Sequence, residues 1–210
     1  MILDLRADQA PGGPSPGCGK LFGGRLVMRD PRTIDAICLH QTAVVFGVSD
    51  QQVRAAKGDR ELAKHRRALR VHAHMTAFTT GTAVAAYPLR AYVHHGNGSN
   101  ARSIGLEIEG HYDGIPGGKL GDPDDRTIET AREAMRWLVA EAAREGITIR
   151  HVVAHRQYAS SRRSDPGWRI WRDVALWSES ALGLSTLPDL VDRDGRPIPR
   201  AWDARQTEAY

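Results

Sequence analysis

Three separated segments carry side chains able to bind and activate a metal ion. Ile37-Cys38-Leu39-His40-Gln41-Thr42-Ala43 brings an apolar run to a histidine. Ser103-Ile104-Gly105-Leu106-Glu107-Ile108-Glu109-Gly110 sets a carboxylate inside a second apolar run. His155 follows a β-branched run, and Asp165-Pro166-Gly167 lies beyond a polar loop. Two imidazoles and one carboxylate make a three-ligand zinc shell whose fourth position stays open for water or substrate. A further carboxylate nearby can take the proton from that water. The chemistry implied is metal-assisted hydrolysis.

Taken singly, each residue also has a plainer reading. A histidine such as His40 at a strand end is more often structural than a ligand, and Asp165-Pro166-Gly167 is an ordinary turn sequence. Glu107, between Leu106 and Ile108, is costly to bury without a use. Burial would raise its pKa, which suits a general base, and Glu109 alternates to the same face as the other candidate. His151 and His155 have the spacing of a metalloprotease helix, but Val152 stands where that motif needs glutamate.

The elements that must position these residues are legible in outline. Residues 34–39 and 104–108 read as short apolar strands, and 147–154 as a third. Ser49 caps an expected helix over 50–69 with Gly58 as a weak point inside it. Residues 75–86, centred on Gly81, read as a hairpin. The clearest helix spans 125–145, where Ile128, Ala131, Met135, Leu138 and Ala142 recur at helical spacing and Gly146 ends it. A last helix is expected over 170–182. Alternating strands and helices give an α/β fold, a central mixed β-sheet flanked by helices. Ligands carried at strand ends would then meet at one edge of the sheet. The expected division is an irregular Pro/Gly-rich arm over 1–30, a catalytic domain over 31–182 and a loose tail over 183–210.

Composition narrows the class. The chain has 210 residues, 41% hydrophobic and 26% charged, ordinary for a globular domain with a real core. No apolar stretch approaches a membrane span, and Asp4 falls where a secretory core would be, so neither an integral membrane segment nor a signal peptide is expected. The expected location is the cytoplasm of the producing cell, or outside it after export by a route the sequence does not show. Cys18 and Cys38 are too few for a disulfide scaffold and are expected as free thiols. Cys38 shares the strand face of His40. A net charge of +4 and a pI near 9.3 suit a polyanionic partner, cell wall or nucleic acid. The densest cationic patch, with Arg60, Lys64 and Arg67 on one helical stripe, is expected to be a solvated face; it lacks the aromatics of a base-stacking surface. The one Gly-x-Ser-x-Gly match, Gly13-Pro14-Ser15-Pro16-Gly17, lies in the Pro/Gly-rich arm and not between a strand and a helix, so a serine hydrolase has no support.

Residues 34–168 resemble the zinc-dependent N-acetylmuramoyl-L-alanine amidases of the type-2 amidase and peptidoglycan-recognition-protein family. LHQTA is similar to the family's LHHTA, VHHGNGSNARSIGLEIEG to its WHAG…N…SIGIELEG, and HVVAHRQYASSRRSDPG to its GHRDIAPGRKTDPG. The order and spacing of the three segments together make the resemblance specific. It implies the same α/β architecture, with Zn2+ held by His40, His155 and Asp165. It implies Glu107 as the catalytic base and Arg163, where the family often has Lys, as the oxyanion stabiliser. Arg162 is a stand-in for that role. His94 would line the substrate groove, and Asn100 and Ser103 would hold the loop that shapes it. His74 would serve packing.

The activity so implied is hydrolysis of the amide between N-acetylmuramic acid and L-alanine in peptidoglycan, by a monomer acting on wall or muropeptide and not on nucleic acid. The alternative is a non-catalytic module that binds peptidoglycan without cutting it. A phage lysis enzyme, a wall-recycling enzyme and an injected effector all remain compatible with the sequence.

Overall fold

The computed structural model describes residues 1–8, 18–114, 117–159, 161–162 and 164–186. Six strands form one mixed sheet: β1 (Ile2–Asp4), β4 (Ala36–Gln41), β5 (Met75–Ala77), β6 (Ala83–Ala85), β7 (Ser103–Ile108) and β8 (His151–Ala154). Their spatial order is β1-β6-β5-β7-β4-β8. Only β5 and β6 are antiparallel, as the expected hairpin, while β5, β7, β4 and β8 run parallel side by side. A small antiparallel ribbon, β2 (Leu21–Phe22) with β3 (Arg25–Leu26), lies apart from the sheet.

Strand alternation separates core from chemistry. Ile37 and Leu39 of β4, Ile104, Leu106 and Ile108 of β7, and Val152 and Ala154 of β8 all enter the main hydrophobic core. Each fully buried leucine or isoleucine contributes about 1.5–3 kcal/mol, so these strands anchor the fold. Cys38, His40, Gly105 and Glu107 therefore face the opposite side. A second core of Leu5, Phe78, Val84, Tyr87 and Val93 packs separately from the first.

The main core is closed by two helices. α3 (Asp125–Arg144) starts where Asp124 accepts a hydrogen bond from the Thr127 amide at 2.8 Å, and it buries the predicted stripe of Ile128, Ala131, Met135, Leu138 and Ala142. The helix over 168–182, α4, runs through Trp168–Ile170, a π-turn segment Trp171–Leu176, and Trp177–Leu182. The long helix expected over 50–69 is broken at its glycine. Lys57 and Gly58 take left-handed φ values of 55° and 90°, so the chain forms α1 (Asp50–Ala55) and, after an Asp59 cap, α2 (Arg60–His65).

Three expectations need correction. The arm over 1–30 is not wholly irregular: β1 pairs in parallel with β6 and extends the central sheet, because Ile2–Asp4 supplies a ladder for its open edge. The stretch 9–17 of that arm lies outside the described residues. The tail over 183–210 begins inside the fold, since Leu184 is buried and Ser185 bridges to His151; residues 187–210 lie outside the described residues. The stripe of Arg60, Lys64 and Arg67 is a solvated face only at Arg60, which is exposed. Lys64 turns inward to Glu109 at 3.0 Å, and Arg67 lies over the Phe46 ring at 5.8 Å. Both cysteines are buried free thiols, and no helix among the described residues is long and apolar enough to cross a membrane.

Candidate metal centre

The site lies at the carboxyl ends of β7, β4 and β8, where a parallel sheet opens into a cleft. His40 is the penultimate residue of β4 and is in register with Glu107 on β7. Leu39 is in register with Ala154, the last residue of β8, so His155 emerges beside His40. Asp165 arrives from the following loop. That loop is pinned by the Arg162 amide to Ala159 O at 2.9 Å, the Asp165 amide to Arg162 O at 3.0 Å and the Arg156 amide to Asp165 O at 3.3 Å.

Three ligand atoms converge. His40 Nδ1 and His155 Nδ1 are 3.0 Å apart, His155 Nδ1 and Asp165 Oδ2 2.9 Å, and His40 Nδ1 and Asp165 Oδ2 3.7 Å. Ligands about 2.0–2.1 Å from a tetrahedral zinc ion are spaced about 3.3–3.4 Å from one another, within that spread. Two imidazole nitrogens and a carboxylate oxygen turned toward one point form a donor set suited to a divalent cation. The donor set and spacing fit zinc. Burial pushes the His40 pKa down, which keeps the ring neutral as a metal ligand must be. Burial alone would raise the Asp165 pKa, but the hydrogen bond from His155 and the adjoining His40 ring prevail and hold it at about 2, so the carboxylate stays ionised.

The surroundings brace this group. The Gln41 amide donates to Asp165 Oδ1 at 3.0 Å, leaving Oδ2 for the centre. The Gln41 side chain crosses to the neighbouring loops: its amide nitrogen donates to Tyr112 O at 3.0 Å and to Ser164 O, and its oxygen accepts from the Tyr112 amide at 2.5 Å. Gln41 thus ties the loop before Asp165 to the strand carrying His40.

The two glutamates separate cleanly. Glu107 is half-buried, and its Oε2 is buried with no hydrogen-bond partner among the described residues. Burial, and after it the Asp165 charge, push its pKa well up, with Arg162 opposing. Glu109 lies beyond the end of β7, fully buried and saturated. It accepts from the Phe46 amide at 2.7 Å, the Thr79 amide at 3.0 Å and the Thr79 hydroxyl at 2.8 Å, and it pairs with Lys64. Nothing in it is left to face a substrate.

Gln41, His72, His94, His95, Asn97, Asn100, Glu107, His155, Arg162 and Asp165 border one cleft of about 430 Å³. Asn100 Oδ1 accepts from the His95 amide at 2.9 Å and the Gly96 amide at 2.6 Å, holding that loop. Ser103 Oγ donates to Ser99 O at 2.8 Å in the same loop. His74 is fully buried away from the cleft, accepting from the Gly105 amide at 2.9 Å and donating to Ala91 O at 2.9 Å. His151 sits at the start of β8, away from the cluster. Arg163 lies outside the described residues, and Arg162 is the cleft cation that is described.

Sequence reasoning missed His95. It lies beside His40, with His95 Nδ1 3.1 Å from His40 Nε2. The doublet His94-His95 was its one signal, since neighbours in extended chain point opposite ways and one of two histidines beside a cleft turns inward.

A sequence profile described as N-acetylmuramoyl-L-alanine amidase (Amidase_2) matches residues 30–168, more than half of the chain. The chain belongs to that family. Wild-type PGRP-LB of Drosophila superposes with a TM-score of 0.53 at 14% identity, covering 90% of this chain and 98% of that one. Bumblebee PGRP-SA gives 0.52 at 14% identity, over 84% and 95%. The N-acetylmuramoyl-L-alanine amidase LysC from Clostridium intestinale URNW gives 0.49 at 17% identity, over 88% and 99%. At such identities, what the chain shares with the two PGRPs is the fold. No curated protein matches the chain.

Proposed function

We propose that this amidase-family chain is a zinc-dependent hydrolase that cleaves the amide between N-acetylmuramic acid and L-alanine in peptidoglycan. The observation that carries the reading is the convergence of His40 Nδ1, His155 Nδ1 and Asp165 Oδ2 beside a cleft where Glu107 holds a carboxylate oxygen with no partner among the described residues. His40, His155 and Asp165 would hold the ion. When bound, zinc supplies Lewis acidity that polarises an amide carbonyl and acidifies a water.

Glu107 does the proton work. Its raised pKa favours taking a proton from the attacking water at Oε2, and the same oxygen returns it to the leaving amine of L-alanine as the C–N bond breaks. Arg162 borders the cleft close enough for its charge to be felt at Glu107, and it or Arg163 would steady the developing oxyanion. His94 and Asn97 line the groove that receives the glycan-peptide junction, and Asn100 fixes the loop that carries them.

The test is release of free L-alanine amino groups from a soluble muropeptide. Cleavage that stops with a chelator and returns with zinc supports the reading. Tight muropeptide binding with no release, at full zinc loading, would make the chain a recognition module instead.

A further inference from the structure

We propose that His95 is a positioning residue that fixes the tautomer of His40 and so dictates that His40 offers Nδ1 to the metal. The inference rests on the metal reading above and concerns a residue outside the ligand set. His95 Nε2 lies 3.2 Å from the Ser103 carbonyl oxygen, which can only accept. The Ser103 hydroxyl is 3.5 Å away, but its proton is donated to Ser99 O, so it too can only accept from His95. Nε2 of His95 therefore carries the ring proton, and Nδ1 is bare.

That bare nitrogen is 3.1 Å from His40 Nε2. Two ring nitrogens at this distance need one proton between them, and His95 has none to give at Nδ1. His40 therefore carries its proton on Nε2 and donates it. Its Nδ1 is left with a free lone pair, and Nδ1 is the atom that meets His155 and Asp165. A main-chain carbonyl on β7 thus sets, through two rings, which nitrogen of His40 is available.

The surroundings hold His95 to this task. It is 6% exposed. Its amide is fixed by Asn100 Oδ1 at 2.9 Å. Its ring lies directly on Gly105, where an added Cβ would fall 2.6 Å from His95 Cγ, so any side chain at that position would displace the ring. The other ligands are braced differently. Asp165 is oriented by the Gln41 amide, and His155 Nε2 has no partner among the described residues. The competing role for His95 is as a ligand itself, with Cys38 and His40, whose donor atoms also cluster. That role would need a lone pair on His40 Nε2, where the chain of hydrogen bonds places a proton.

Two measurements test this together. Long-range 1H–15N correlation on zinc-free protein with labelled histidine should show His40 and His95 both in the Nε2–H form; a Nδ1–H form of His40 overturns the proposal without any variant. Zinc affinity by chelator competition should fall about 10–100-fold in His95→Ala and His95→Leu, as expected when a partner that orients a ligand is lost. His95→Asn, whose Oδ1 can accept from His40 Nε2, should stay within a few-fold of the parent. Leu and Asn variants that bind equally well would reduce His95 to packing and refute the proposal. Two zinc ions per parent chain, falling to one in the His95 variants, would make His95 a ligand and also refute it. Failure of the parent to bind zinc would sink the metal reading instead, while the tautomer measurement on the zinc-free protein still decides the role of His95.

Discussion

Replacing Glu109 by Gln should unfold the protein more readily while leaving zinc stoichiometry at one. The carboxylate is fully buried and faces three neutral donors, from Phe46 and Thr79, and the Lys64 ammonium at 3.0 Å. Glutamine keeps one acceptor oxygen for the Phe46 amide. Its NH2 then meets the Thr79 amide, the Thr79 hydroxyl and Lys64, all donors, and the Lys64 charge loses its counter-charge at a side chain only 16% exposed. Breaking a buried pair from one side costs about 3–5 kcal/mol. In a domain of this size that lowers Tm by about 2–4 °C per kcal/mol. Urea denaturation at pH 7 of parent, Glu109→Gln, Lys64→Met and the double variant would measure it. The expected result is a large loss in each single variant and partial recovery in the double, because the stranded partner is then gone too. A Glu109→Gln loss below about 1 kcal/mol would refute the reasoning, since it would mean that the carboxylate is neither desolvated nor committed as its contacts require.

His40→Ala, His155→Ala and Asp165→Ala should each lose zinc on dialysis and lose cleavage, while His151→Ala should retain both; metal analysis of the dialysed proteins checks this. Arg162→Ala and Arg163→Ala, compared by kcat on a soluble muropeptide, should differ, with the oxyanion partner losing about 2–4 kcal/mol of barrier and the other nearly silent. Acid should destabilise the zinc-free fold through His74, whose pKa is held down to about 3 by burial and then by the Arg29 charge. Because the folded value lies below the unfolded one, this contribution is complete above about pH 6.5 and is lost as pH falls from there toward 3, by about 1.4 kcal/mol per unit. Urea midpoints between pH 7 and 5 should fall more steeply for the parent than for His74→Gln.

What the sequence makes legible is what depends on local periodicity. The stripe of α3 and the apolar runs of β4 and β7 follow from side-chain spacing alone, and their alternation puts His40 and Glu107 on the face away from Ile37, Leu39, Leu106 and Ile108. Long-range pairing is not written that way. Ile2–Asp4 is too short to stand out, yet it completes the sheet edge beside β6. Gly58 marks a weak point, but only the left-handed backbone at Lys57 and Gly58 shows that the helix breaks there. Lys64 reads as one more surface cation because its partner Glu109 is distant in sequence. Glu109 reads as a rival base to Glu107, since a two-residue period cannot register that β7 ends at Ile108. His95 shows in the sequence only as half of a doublet, because its partners are His40 and Ser103, joined to it only by the fold.

The central claim is that Glu107 works on a substrate held at a zinc centre it does not itself build. Glu107→Gln tests it most directly, because glutamine keeps the shape at a site where Oε2 has no partner to lose among the described residues. The account predicts one zinc per chain, an unchanged urea midpoint, and release of L-alanine amino groups from muropeptide slowed by roughly a hundredfold or more. Parent-like turnover in the zinc-loaded Glu107→Gln protein would contradict it.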